Sequence, residues 1–235
     1  MPTLRRSSLA MSRSASPIRA IAFDLDGTLV DSAPDIGHAL NQGLRESGFG
    51  GFDLEQVRAW IGDGPDVLIE RALKALEHDD RPELRKPLRL AFDRCTLAAP
   101  LAHGSVFDGI PALLPQLRPA WPLVVVTNKP TALARAVLDA AQLLPFFEAV
   151  QGADTAALRK PAPAMLERAA RQLGVAPSQL LMVGDSAADM GCASAAGCPA
   201  AWAGWGYGAL HSLPAPPRWR LHRPGQLLDI LAETD

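Results

Sequence analysis

The sequence predicts an α/β protein of three layers, a parallel sheet between helices, with an all-helical unit inserted after the first strand. Three observations carry this expectation. Apolar runs at residues 18–23, 123–126, 149–151 and 180–183 read as short buried strands, and from Phe107 onward they alternate with helical patterns, as crossover connections require. Residues 33–104 carry helical periodicity and no convincing strand. Successive strand candidates end in residues able to do chemistry, and in open α/β sheets ligands sit at those carboxyl ends.

Composition bounds the reading. With 235 residues, 48% of them hydrophobic and 20% charged, the chain can bury a large core. A net charge of −2 offers no general attraction to nucleic acid or an anionic membrane, and every apolar run is too short to span a bilayer. Cys95, Cys192 and Cys198 are odd in number and lack metal-ligand spacing, which fits small buried thiols in a reducing, cytoplasmic compartment. His38, His78, His103, His211 and His222 show no triad or metal spacing either. Residues 1–17, rich in Arg and Ser and free of acids, are expected to form a disordered tail. Their composition also fits a transit peptide, and Met11 offers an alternative start, but the apolar centre of a secretory signal is missing.

The first strand, 18–23, stops at Asp24 and Asp26, with Gly27 and Thr28 directly behind. Two aspartates one residue apart suit a hard cation and a phosphorylated substrate, although alone they also fit a polar turn. Ile36, Leu40 and Leu44 predict a helix that stops at the glycines of 48–51. Asp53, with Gln56 as capping-box partner, opens a second helix facing Val57, Trp60 and Ile61 inward, and Gly62-Asp63-Gly64-Pro65 ends it. A third helix turns Val67, Leu68, Leu73 and Leu76 inward. A fourth, interrupted by Pro82 and Pro87, carries Leu84, Leu88, Ala91 and Phe92 and fades near Pro100.

After a helix over 110–117, the strand 123–126 ends in Thr127-Asn128-Lys129-Pro130, and Pro130 opens a helix over 131–142. A weak strand at 149–151 follows, then Lys160-Pro161 ahead of a helix over 165–173 that Gly174 closes. The strand 180–183 ends in Gly184-Asp185-Ser186, with Asp189 four residues past Asp185. Residues 200–203 supply a fifth strand, followed by a glycine-rich turn over 204–208, a proline-rich loop and a closing helix on Leu227, Leu228, Ile230 and Leu231.

One sheet edge therefore gathers Asp24, Asp26, Asp185 and Asp189 with Thr127, Asn128 and Lys160. Two like charges 4 Å apart repel by about 4 kcal/mol at an effective dielectric of 20, and Lys160 alone does not balance this cluster. Mg²⁺, which takes oxygen ligands and shares them with phosphate, does.

DLDGTLVDS, VVVTNKP, Lys160-Pro161 and VGDSAAD, in this order and with a helical insert after the first, resemble the four motifs of the haloacid dehalogenase superfamily. SAPDIGHALN, RAWIGDGPDVLIERAL, TNKP and KPAPAMLERAA are similar to the phosphoglycolate phosphatases with a small helical cap. The resemblance implies a Rossmann-like core over 18–32 and 105–235 and a cap over 33–104, hinged near 30–33 and 103–107. It implies Asp24 as the nucleophile that becomes an aspartyl phosphate, and Asp26 as the acid and base. Thr127, Asn128 and Lys160 would hold the phosphoryl group. Asp24, the Asp26 carbonyl and Asp185 would bind Mg²⁺, with Asp189 ordering the metal or its waters. Gly62-Asp63-Gly64 resembles the family's substrate-specificity loop. Ala162 departs from the family, where an acid or His often follows Lys-Pro, and Trp202, Trp205 and Tyr207 make the last loop unusually aromatic; these rings are expected to pack on the core rather than line the entrance.

The expected substrate is a small phosphorylated metabolite, 2-phosphoglycolate first, handled by a monomer or homodimer without nucleic acid or membrane. Rivals are a phosphosugar or amino sugar phosphate phosphatase and a phosphosugar mutase, for which Arg58, Arg71 and Lys74 supply cap cations. Near the third helix, Lys74 is also the one candidate for the cap amine of the phosphonate-cleaving relatives. A phospho-accepting signalling receiver is disfavoured, because a base at Asp26 would destroy the long-lived acyl phosphate it needs.

Overall fold

Two hydrophobic layers separate cleanly along each strand of the computed structural model, which describes residues 17–78, 81–209, 213 and 216–233. The tail expected over 1–17 lies outside the described residues except for Pro17, as does His211. In chain order the elements are β1 (Ala20–Phe23), β2 (Val30–Asp31), α1 (Ala33–Glu46), α2 (Leu54–Trp60), α3 (Pro65–Ala75), α4 (Arg85–Ala98) and β3 (Ser105–Val106). Then come α5 (Ile110–Leu117), β4 (Leu123–Thr127), α6 (Thr131–Ala140), β5 (Ala149–Gly152), α7 (Ala164–Leu173), β6 (Leu180–Gly184), α8 (Ala187–Ala196), β7 (Ala200–Ala203), β8 (Trp219–Leu221) and α9 (Gln226–Ala232).

Six strands form one parallel sheet in the order β5-β4-β1-β6-β7-β8. Side chains alternate across a strand, so Ile21, Phe23, Leu123, Val125, Leu181 and Val183 face one helical layer, built from α5, α6 and α9. Ala20, Ala22, Val124, Val126, Leu180 and Met182 face the other, built from α7 and α8. Both faces are covered, which is why these strands read as continuous apolar runs rather than alternating ones.

Helices α1 to α4 enclose a third apolar cluster, with Ile36, Leu40, Leu44, Val57, Leu68, Ile69, Leu73, Leu88 and Phe92 at its centre. Ile69 is buried where the periodicity pointed to Val67, which is half-buried. Both crossings between this unit and the sheet run through the antiparallel ribbon of β2 and β3, too short to leave a sequence signal. Asp35 braces the crossing by accepting hydrogen bonds from the His103 and Gly104 amides, each at 2.8 Å.

Three expectations are corrected. Pro87 does not interrupt the fourth helix: it sits in the first turn of α4, where its missing N–H has no helical partner to lose. Pro130 caps α6 from outside rather than opening it. The proline-rich loop carries a further strand, β8, which pairs with β7 at the sheet edge. No helix among the described residues is long and apolar enough to cross a membrane.

Candidate active site

The adjacent strands β4, β1 and β6 end side by side, so Thr127, Asp24 and Asp185 meet although they lie far apart in sequence. Asp24 is 5% exposed and Asp185 2%. Lys160, just ahead of α7, is 1% exposed and reaches under this edge. Its ammonium lies 2.8 Å from Asp24 Oδ1, and it donates to Asp189 Oδ1 at 2.6 Å and to the Val126 carbonyl at 3.0 Å. Asp189 is held by the first turn of α8: its Oδ2 accepts from the Ser186 amide at 2.9 Å and from Ser186 Oγ at 2.6 Å. Both oxygens of Asp189 are thus engaged, and it orients Lys160. Asp185 accepts from Thr28 Oγ1 at 2.9 Å and from the Tyr207 amide at 2.8 Å.

The electrostatics follow from burial. Desolvation, with repulsion from Asp189, pushes the Asp24 carboxyl up to about 7. The same desolvation, with Asp189 and Asp24 nearby, pushes Asp185 up to about 8. Burial alone would lower the Lys160 ammonium, but Asp189 and Asp24 outweigh it and hold Lys160 above its ordinary value. One cation faces three acids here, so the cluster is short of positive charge.

A metal ion fits that deficit. One carboxylate oxygen from each of Asp24, Asp185 and Asp189 falls within 4.8 Å of the others. Asp24 Oδ1 is buried and receives no aligned hydrogen bond among the described residues; the ammonium 2.8 Å away, Lys160, is shared with Asp189 and the Val126 carbonyl. Such an orphan, in an all-oxygen donor set, is what a hard cation completes. Gly27, at φ +85°, leaves the approach to Asp185 open: a Cβ there would collide with the carboxylate.

The remaining predicted residues occupy the same cleft. Asn128 is committed structurally: its Nδ2 donates to the Gly62 carbonyl at 2.9 Å and its Oδ1 accepts from the Lys160 amide at 2.7 Å. That bond ties the helical unit to the sheet edge. Gly64, at φ +84°, presses against Asn128, and Asp63 is paired to Arg71, which also donates to the Trp60 carbonyl. Of the loop, Gly62 and Gly64 line a cavity of about 30 Å³ with Asp24, Asp26, Thr127 and Asn128. Gly62 and Asp63 line a second, of about 420 Å³, with Arg58, Arg71, Ser186 and Tyr207. Lys74 lies on neither lining.

Of the aromatic residues, Trp202 is buried in the layer of α7 and α8, and Trp205 packs against the opposite layer and donates to the Thr28 carbonyl at 3.0 Å. Tyr207 instead lines the larger cavity and donates to Asp31 at 2.7 Å, linking this loop to β2. An alanine Cβ at Gly64 would lie 2.7 Å from the Asn128 carbonyl, on a positive-φ extended backbone that costs a non-glycine residue about 1–3 kcal/mol. Gly64→Ala is therefore expected to lower kcat/KM about tenfold. Steady-state kinetics alongside a thermal melt checks this; unchanged kinetics would mean that the loop need not seat on Asn128.

Sequence reasoning missed Lys129. Its ammonium donates to both oxygens of Asp26, at 2.7 and 2.8 Å, and its side chain is 4% exposed. Asp26 also accepts from Ser32 Oγ. The TNKP motif contained the residue, but nothing local announces that β4 delivers it to the acid after β1.

Residues 18–197 match the haloacid dehalogenase-like hydrolase family. Phosphoglycolate phosphatase of Photorhabdus laumondii is 38% identical over 191 residues, covering 81% of this chain and 82% of that protein. Phosphoglycolate phosphatase of Escherichia coli K12 is 38% identical over 208 residues with the same coverage. A crystal structure of a predicted phosphoglycolate phosphatase from Haemophilus somnus 129pt superposes with a TM-score of 0.81 at 29% identity, covering 91% of this chain and 97% of that one. The chain belongs to the haloacid dehalogenase-like hydrolases, among their phosphoglycolate phosphatase-like phosphatases.

Proposed function

We propose that the protein is a Mg²⁺-dependent phosphomonoesterase that hydrolyses 2-phosphoglycolate to glycolate and phosphate through an aspartyl phosphate on Asp24. The carrying observation is the buried Asp24 carboxylate, 2.8 Å from Lys160, on a cavity that it shares with Asp26 and Thr127. Asp24 attacks phosphorus, which divides one slow displacement into two faster ones. Asp26 protonates the leaving alkoxide and then takes the proton of the attacking water. Thr127, the backbone amides beside it and Lys160 stabilise the charge on the phosphoryl oxygens. Mg²⁺, held by Asp24, Asp185 and the Asp26 carbonyl, supplies further charge stabilisation when bound. The helical unit excludes water and selects the leaving group. The free thiols suit a reducing cytoplasm, and the partner is a small metabolite acted on by a monomer or homodimer.

A panel of phosphorylated metabolites ranked by kcat/KM tests the substrate. The cavity of about 420 Å³ with Arg58 and Arg71 favours a second reading, a phosphosugar. A sugar phosphate ranking far above 2-phosphoglycolate would establish it.

Metal dependence has a second readout. Asp24 and Asp185 are raised to about 7 and 8, above the ~3.9 of an unfolded Asp. The metal-free folded protein therefore holds protons that the unfolded chain has released, and its stability falls as pH rises from about 4 to about 8. Mg²⁺ removes that loss. Its effect on Tm is expected to be small near pH 5 and to grow toward pH 8, at about 2–4 °C per kcal/mol. Thermal melts with Mg²⁺ and with EDTA measure it; a shift independent of pH would place the metal elsewhere.

A further inference from the structure

Lys129 is a buried ammonium that the phosphoryl chemistry does not require. The charge on the phosphoryl group is met by Lys160, which is fixed between Asp24, Asp189 and the Val126 carbonyl. Lys129 is paired instead with Asp26, the acid to which the proposed reaction assigns the leaving group. Burying that pair carries a desolvation cost, and the further hydrogen bond from Ser32 Oγ serves Asp26 rather than Lys129.

The small cavity that Lys129 lines shows its surroundings. Beside Asp24, Asp26, Thr127 and Lys129, its walls are Ile36, Ile61, Leu68 and Phe92 of the helical unit. Against such an apolar wall, an anionic leaving group finds one counter-charge, Lys129. The arginines are poorer candidates. Arg58 and Arg71 line the other cavity, and their side chains are 43% and 37% exposed, so solvent screens them. Arg71 is moreover engaged by Asp63 and the Trp60 carbonyl.

We propose that Lys129 recognises a carboxylate on the leaving group, exchanging its ion pair with Asp26 for one with the substrate. This rests on the phosphoglycolate reading and assigns that reading's specificity to one residue. The exchange leaves Asp26 held, because Ser32 Oγ donates to its Oδ1 whichever partner Lys129 takes. A buried ion pair discriminates strongly, since a substrate lacking the carboxylate leaves the exchange unmade.

Ethyl phosphate has the same two-carbon leaving group without the acid, and so isolates the carboxylate. The wild-type protein is expected to prefer 2-phosphoglycolate to ethyl phosphate by on the order of 100-fold or more in kcat/KM. In Lys129→Met and Lys129→Gln the preference should collapse to within about tenfold, mainly through KM, as lost ground-state binding does. Lys129→Gln keeps a donor facing Asp26, so a folding defect in the methionine variant does not stop the test. Inhibition by glycolate of ethyl phosphate turnover should weaken in the same proportion, and Lys129→Arg should retain part of the preference. Variants that keep the full preference would overturn the role of Lys129 while leaving the substrate reading intact. A wild-type protein that hydrolyses both esters equally well would remove the phosphoglycolate reading, and this proposal with it.

Discussion

Asp24→Asn should reduce phosphate release by about 10⁴-fold or more, because an amide cannot accept the phosphoryl group and the covalent route is lost. The change is isosteric and lies at a fully buried position, so folding should not suffer. The opposite is expected. Burial already disfavours the Asp24 charge, raising its carboxyl to about 7. A neutral amide removes that penalty, and the variant should melt at a higher temperature than the wild type in EDTA at pH 7.5. Steady-state kinetics and melts on the same preparation separate the two effects. Activity within tenfold of wild type would exclude Asp24 as nucleophile. A lower melting temperature would show that the Lys160–Asp24 pair contributes more than the burial of its charges costs.

Lys160→Met should be damaging on both counts. It removes the cation that lies 2.8 Å from Asp24 and 2.6 Å from Asp189, and so leaves two buried carboxylates without the ammonium that faces them both. Breaking a buried pair in this way costs about 3–5 kcal/mol. Turnover should fall at least ~100-fold, since the phosphoryl oxygens also lose a charged donor. The stability loss has a pH signature. Lys160 holds the Asp24 carboxyl down against its burial, so without it Asp24 is protonated in the folded state at higher pH than before, and urea unfolding should show a smaller deficit at pH 5 than at pH 7.5. An equal deficit at both would mean that packing of the lysine stem, rather than its charge, holds the cluster.

These expectations draw on different depths of legibility. The acids at the ends of β1 and β6 can be read because a doubly covered parallel strand is an unbroken apolar run, and a carboxylate directly after it has little room to be anything but an edge residue. The helical unit is equally legible, since α1 and α3 keep their apolar residues at helical spacing. β8 is not: three residues, Trp219-Arg220-Leu221, at a sheet edge have no pattern of their own, and the strand exists because β7 is there to pair with. The β2 and β3 ribbon is the same case, with two residues on each side.

The sequence by itself determined the order of the helices and of the five strands that carry an apolar run, the insertion point of the helical unit and the acids at Asp24, Asp26 and Asp185, because apolar periodicity and strand-end chemistry are local properties. Only the tertiary structure decided which side chains share a partner. It engaged the Asn128 amide with Gly62 and Lys160, turned Asp189 toward Lys160, and brought Lys129 to Asp26 across 103 positions of chain. The physical reason is that an ion pair depends on distances of a few ångströms and on burial, and for residues on different strands both are set by the sheet order β4-β1-β6.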